Sequence, residues 1–308
     1  DLGDGVSQFA GHILARLGAE VIAVEPGGGV STRHSGPYVA DDPHLDFSLT
    51  HWAYNRGKKS VVLDIELEQD REKFLRLIQS ADILFEDCQP GYLESLGLSP
   101  LDLANTNPQI IHASITPYGL TGPRSHWLGT DLTAAGGSSF LYASGDADRA
   151  PLRIGVPHSF LHGAADAAAA SLVALQERNR SGMGQHIDVS AQESLTIGFP
   201  QNVAPMENAL PADRMAGGIR IGGMEIPLLF PCLDGYAICV ILPGAAFAPF
   251  CHRLTDWLEE EGASDENLRS IDWVNIGVQL FAGEASFDTV AAAFATYGRF
   301  LASKSKAE

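Results

Sequence analysis

Residues 7–25 read SQFAGHILARLGAEVIAVE, and this stretch decides the fold. Phe9, Ile13, Leu14 and Leu17 recur at helical spacing along one face, and EVIAVE (20–25) has the short apolar run of a buried strand. The alternation continues outward. SVVLDI (60–65) reads as a second strand, and Glu66 to Ala81 as an amphipathic helix carrying Leu67, Phe74, Leu75, Leu77 and Ile78. DILFED (82–87) and, after the Pro108 break, QIIHASI (109–115) are a third and a fourth strand. Strands separated by helices in this way predict βαβ units and a parallel, doubly wound sheet. Right-handed crossovers then put ligands at the carboxyl ends of the strands.

After Gly119 the texture changes. TPYGLTGPRSHWLGTD is turn-rich, and a helix of small residues follows from about Asp131. RIGVPHSFLHGAADAAAASLVAL (153–175) starts a long alanine helix directly after a Gly and a Pro. Asn202 to Gly223 reads as irregular and glycine-rich, and IPLLFPCLDGYAICVIL as a two-stranded hairpin turning near Asp234 and Gly235. The expectation is an α/β chain, with a large parallel-sheet domain over 1–200 and a linker and smaller α+β domain over 201–308.

Of the 308 residues, 45% are hydrophobic and 19% charged, enough to bury a large core. Net charge is −18, from 20 basic and 38 acidic residues, which argues against a nucleic-acid partner. No apolar run is long enough to span a bilayer. The chain opens on DLGDG without Met or a secretory leader and stops in SKSKAE within a helical pattern, so both ends read as cut. Cys88, Cys232, Cys239 and Cys251 form no CxxC pair, which predicts buried free thiols in a reducing cytoplasm and no zinc site.

Several groups carry candidate chemistry. Gly27, Gly28 and Gly29 follow a strand but match no phosphate-loop pattern, and GxSxG is absent. His158 and His162 stand four apart on one helix face without the further ligands that zinc needs, and read as capping or packing histidines. Asp166, one turn beyond His162, is either its partner or a solvated residue on an alanine face. NRGKKSVVLDI (55–65) concentrates Arg56, Lys58 and Lys59 before a buried strand, which suits an anion such as a nucleotide phosphate, with Arg33 and Arg124 as possible additions.

Taken in order, six segments resemble the family III CoA-transferases, the CaiB/BaiF group. They are SQFAGHILARLGAEVIAVEPGGGVSTR, NRGKKSVVLDI, ADILFEDCQPGYLESLGL, NPQIIHASITPYGLTGP, GTDL and ERNRSGMGQHIDVSAQESL. The resemblance implies a Rossmann-like large domain, a small domain and two interlocked protomers, either a homodimer or a pair of related subunits. It also implies coenzyme A as acyl carrier, a carboxylic acid as acceptor, and no metal. Carried across residue by residue, the CoA contacts fall on Arg33 at the adenine end, Lys58 near the phosphates, Asn55 beside it in NRGKKS, and Asp87, Cys88, Pro90 and Gly91 in FEDCQPG. Asp87 and Cys88 depart from the family's pattern there, as does Gln89.

The larger departure is catalytic. The family's transferases attack the thioester with an aspartate three residues after the proline of a segment like GVPHSFLHG, and here that position holds Phe160. A phenyl ring cannot attack a thioester. His162 and Asp166 remain as candidate assistants. The racemase branch's His–Asp pair is missing too, since Thr130 stands in GTD where the histidine would be. The resemblance thus leaves three readings: a CoA-transferase with altered machinery, a non-catalytic CoA-binding subunit of a heteromeric enzyme, or an acyl-CoA isomerase, racemase or lyase.

Overall fold

The computed structural model of the chain describes residues 1–146, 148–198, 214, 217–221 and 224–308. The opening stretch forms α1 (Phe9–Arg16) and β1 (Ile22–Glu25), and β1 lies parallel to β2 (Lys59–Val62), with α2 (Leu49–Asn55) between them in sequence. α1 buries Ala10, Gly11 and Leu14. Leu17, expected on that face, is 68% exposed, because the helix ends at Arg16 and the chain turns away at Gly18.

A second sheet runs β3 (Ile83–Glu86), β4 (Ile111–Thr116) and β5 (Gln185–Ser190), all parallel and in that order. α3 (Glu68–Ile78) precedes β3, while α4 (Tyr92–Ser95) and α5 (Pro100–Thr106) lie between β3 and β4. β5 was not anticipated as a strand. It lies at the edge of this sheet with only Val189 fully buried, and its polar QHIDVS lacks the apolar run that marked the others. One face of the sheet contributes Phe85, Ala113, Ile115 and Val189 to a core with α1. The other contributes Leu84 to a core with Phe74, Ile78, Leu98 and Leu103. With both faces covered, the sheet is doubly wound and the fold is α/β.

β1 and β3 are not paired with each other. Asp1 and Leu2 run between them: Val24 N–H donates to the Asp1 carbonyl at 2.9 Å and Leu2 N–H to the Phe85 carbonyl at 2.8 Å. Beside them lies a cleft of about 410 Å3 lined by Val24, Phe74, Ile78 and Leu84.

α6 (Asp131–Gly137) and α7 (Phe140–Ala143) lead to α8 (His158–Ser181), the long alanine helix. α8 buries Gly163, Ala164, Ala167, Ala168, Ser171 and Ala174, a stripe of small side chains that lets it lie close to β4. Gly184, between α8 and β5, cannot carry a side chain, since a Cβ there would stand 2.0 Å from the Ile110 carbonyl. α9 (Ala191–Ile197) follows β5.

The chain divides into one unit of Asp1–Ala143 with Pro151–Ala212 and another of Ser144–Ala150 with Asp213–Glu308. The boundary expected at residues 200 and 201 lies outside the described residues. The second unit holds the hairpin β6 (Gly218–Ile221) and β7 (Met224–Pro227), and the hairpin β8 (Leu229–Cys232) and β9 (Gly235–Ile238). β6 falls within the stretch read as irregular, much of which is outside the described residues. The β8–β9 hairpin turns at Leu233–Asp234, one residue before the Asp234–Gly235 expected, since Gly235 already pairs with Cys232. α10 (Ala248–Glu260), α11 (Glu266–Ser270), α12 (Ile276–Ala282) and α13 (Phe287–Leu301) complete the unit around Trp273, Tyr297, Leu258 and Ile241. Among the described residues, no helix is long and apolar enough to cross a membrane.

Candidate functional site

The basic cluster before β2 opens on a cleft of about 530 Å3, lined by Arg33, Asp46, His51, Trp52, Arg56 and Lys58 among others. α2 forms one wall. The Ser48 hydroxyl caps it by accepting from His51 N–H at 3.0 Å, and this sets His51, Trp52 and Asn55 on the helix. Trp52 is exposed, and its indole N–H donates to the Asp46 carbonyl at 2.8 Å, which fixes the ring.

Arg33 is committed to carboxylates. Its Nε and Nη2 donate to the two oxygens of Glu25 at 2.5 and 2.9 Å, and Nη1 donates to Asp46 at 3.0 Å. Burial works against the Glu25 charge, but hydrogen bonds from Arg33 and Ser60 outweigh it and hold the carboxyl at about 2. His51 is pushed down by burial and by the Arg33 charge, and it shares the Thr32 hydroxyl at 2.9 Å.

Lys58 is drawn inward. Its ammonium donates to Asp1 Oδ2 at 2.7 Å, the Gln8 carbonyl at 2.6 Å and Asn55 Oδ1 at 2.8 Å, and its side chain is 2% exposed. Burial pulls its pKa down to about 7, against the Glu25 charge, which favours the charged form. Asn55 in turn donates to Gln8 Oε1 at 2.8 Å, so Lys58 and Asn55 form one buried network behind the cleft. Arg56 is exposed on the cleft and makes no ion pair among the described residues. Lys59 pairs with Glu20 at 2.8 Å, and Arg124 lies over the Trp127 ring.

Asp87, the acid in FEDCQPG, is occupied by the chain itself. It accepts Asp4 N–H at 2.8 Å, Gly5 N–H at 3.1 Å and the Ser7 hydroxyl, while burial pushes its pKa up. Cys88 is partly exposed, its thiol is pushed well above the ordinary range by burial, and its N–H donates to Glu86 Oε2 at 2.7 Å. Gly91 has φ +89°, a left-handed turn that caps α4 after Pro90. All four cysteines are free, but only Cys251 is buried. Cys88, Cys232 and Cys239 sit on partly covered surface, where sequence pattern does not separate them from core positions.

At the start of α8, Ser159 is buried, and its N–H donates to Asp131 Oδ1 at 2.9 Å and its hydroxyl to the Asp131 carbonyl at 3.1 Å. Arg153 stands 3.7 Å from Asp131 Oδ2. Phe160 follows, partly buried. His158 stacks on Phe140 at 5.5 Å and lies 5.9 Å from the His162 ring, so the two histidines pack together. Asp166 is exposed, and among the described residues no hydrogen bond or ion pair joins it to His162. Nor do three His, Cys, Asp or Glu side chains among the described residues come together as metal ligands do.

Trp52, Asp46 and His51 escaped the sequence reading. An aromatic in a short helix reads as core, and only the fold shows that α2 turns its Trp to the cleft.

A model of CoA-transferase family III matches residues 5–301. The chain is 35% identical to a succinyl-CoA:(R)-benzylsuccinate CoA-transferase subunit of Thauera aromatica, over 100% of this chain and 73% of that one. It is 40% identical to an acetyl-CoA:oxalate CoA-transferase of Acetobacter aceti, over 63% of this chain and 49% of that one. Among solved structures, a CaiB/BaiF family protein from Brucella suis superposes with TM-score 0.75 at 27% identity, covering 99% of this chain and 77% of that one.

Proposed function

We propose that this chain, which belongs to CoA-transferase family III, binds acyl-CoA in its first unit and works in the transfer of CoA between carboxylic acids. The cleft at α2 carries the CoA reading. The exposed Trp52 ring gives a purine a surface to stack on, and Arg56, without an ion pair among the described residues, gives phosphate a cation. Arg33, held at its edge by Glu25 and Asp46, offers adenine its flat face instead of its N–H groups. Lys58 and Asn55 serve from behind by fixing the wall. Asp87, Cys88, Pro90 and Gly91 complete the contact. The Asp87 carboxylate, already met by two amides and a hydroxyl, repels the phosphates less than a free acid would.

Phe160 in the first turn of α8 leaves that position without a nucleophile. The acyl step then falls to a carboxylate elsewhere. Likeness to a protein named as a subunit supports the reading in which this chain is one subunit of a heteromeric enzyme. In that reading the two unlike chains interlock in the cytoplasm and the other supplies the aspartate. The test incubates the protein with acyl-CoA and a labelled acceptor acid, then traps with hydroxylamine or borohydride and reads the adduct by mass spectrometry. CoA binding without adduct or exchange, with exchange appearing once an aspartate-bearing partner is added, is the expected result. An acyl adduct on this chain's own carboxylate overturns the subunit reading, and deuterium wash-in at the α-carbon favours an isomerase or racemase.

A further inference from the structure

A buried polar cluster sits on the β3–β4–β5 sheet, on the side opposite the alanine-helix core. Glu86 is in register with Ser114, and His112 with His186. Alternation puts all four side chains on one face of the sheet. Glu86 is 4% exposed, His112 3% and Ser114 1%, where a doubly covered parallel sheet is ordinarily apolar. A carboxylate kept in such a place must be well partnered.

Its partners point one way. Glu86 is the last residue of β3, and its Oε2 accepts the Cys88 N–H at 2.7 Å just as the chain leaves the sheet. Its Oε1 stands 3.4 Å from His112 Nε2. His112 Nδ1 is buried with no hydrogen-bond partner among the described residues, so the tautomer with its hydrogen on Nε2, facing Glu86, satisfies the pair. The Ser114 hydroxyl joins the network at 2.9 Å from His186 Nε2, and the two imidazole rings lie 4.7 Å apart. Burial opposes the Glu86 charge, yet hydrogen bonds from His112 and Ser114 and the Cys88 amide outweigh it and keep its pKa below the ordinary value. The small recess above holds about 10 Å3 and is lined by Glu86, Cys88, Pro90, Gly91, His112 and Ser114. Glu86 thus faces the underside of the Asp87–Gly91 turn.

We infer that Glu86 is a positioning residue: its carboxylate, held on one side by His112 and holding the Cys88 amide on the other, sets the path of Asp87–Gly91 toward CoA. This rests on the CoA-binding reading and deepens it, since it gives a role in that contact to a side chain that touches no ligand. Glutamine at this position keeps the shape and one acceptor but loses the charge. Its amide group would then abandon the Cys88 N–H, set N–H against N–H at His112, or drive the imidazole hydrogen onto the buried Nδ1, which has no acceptor among the described residues.

The test measures CoA affinity by calorimetry and hydrogen exchange of the Cys88 amide at one fixed pH, in the full chain. Glu86→Gln is expected to weaken CoA binding about tenfold and to speed Cys88 exchange about tenfold, the loss expected of one charge-assisted bond. Leu258→Ala in the second unit, which lowers stability by packing alone, should leave both readings unchanged. Unchanged Cys88 exchange in Glu86→Gln, or faster exchange with unchanged CoA affinity, overturns the inference. Should Glu86→Gln fail to fold, His112→Leu removes the donor to Glu86 from the other side, with the same outcomes. A wild-type chain that binds no CoA defeats the functional reading instead, and the exchange measurement then still decides whether Glu86 holds the turn.

Discussion

Lys58 and Arg56, two residues apart, show how position divides one kind of charge into two jobs. Lys58 is enclosed by three acceptors, while Arg56 stands in the open cleft. Lys58→Ala leaves Asp1 and Asn55 without their partner and is expected to cost about 3 kcal/mol of stability by urea unfolding. Arg56→Ala should leave stability unchanged and weaken CoA binding by about 1–2 kcal/mol in calorimetry, as for one phosphate contact. Glu25 supplies a pH signature. Its folded pKa of about 2 lies below the ordinary 4.5, so the unfolded chain takes up the proton first. Its contribution is complete above pH 4.5 and is lost as pH falls toward 2. Glu25→Gln should therefore flatten the acid limb of stability across that window, read by urea unfolding over a series of pH values.

Among the elements, α8 owes its place to what its side chains lack. A Cβ on Gly163 would meet the Ala191 Cα at 3.3 Å and Ile115 Cγ2 at 3.4 Å, and Ala167 is wholly buried. Ala167→Leu is expected to cost about 1–3 kcal/mol through overpacking, visible as a lower midpoint in thermal unfolding. The alanine run marked α8 as a helix, and the small residues marked it as closely packed. β5 is the converse case. Its polar QHIDVS became a strand because β4 offered a free edge, a condition set some seventy residues away.

At the scale of the molecule, the two units keep separate cores. Trp273, 1% exposed, anchors the second with Tyr297 and Phe294. Trp273→Ala should lower the stability of that unit by about 3–5 kcal/mol while CoA affinity stays that of the wild type, measured by calorimetry below the transition. Loss of CoA binding in that variant would place the site outside the first unit. Much of this organisation was legible in the residues. The alternation from Ser7 to Ile115 announced the parallel sheet, and six ordered motifs announced the family. The candidate site was less legible: the sequence offered Arg33, Asn55 and Lys58 as CoA contacts, and the structure lines one cleft with all three, but their hydrogen-bond partners could not be read from the chain.

The residues by themselves determined the α/β class, the alanine helix and the phenyl ring in its first turn, because periodicity and side-chain chemistry are local properties. Only the tertiary structure decided which charges stay free. It turned Lys58 inward onto Asp1, set Arg33 against Glu25, filled Asp87 with backbone amides and wedged Glu86 beneath the turn that follows it. Each of these pairings joins groups that are distant in sequence or set by burial. A charge's energy depends on its solvent exposure and on the partner within a few ångströms, and neither is written in its neighbours along the chain.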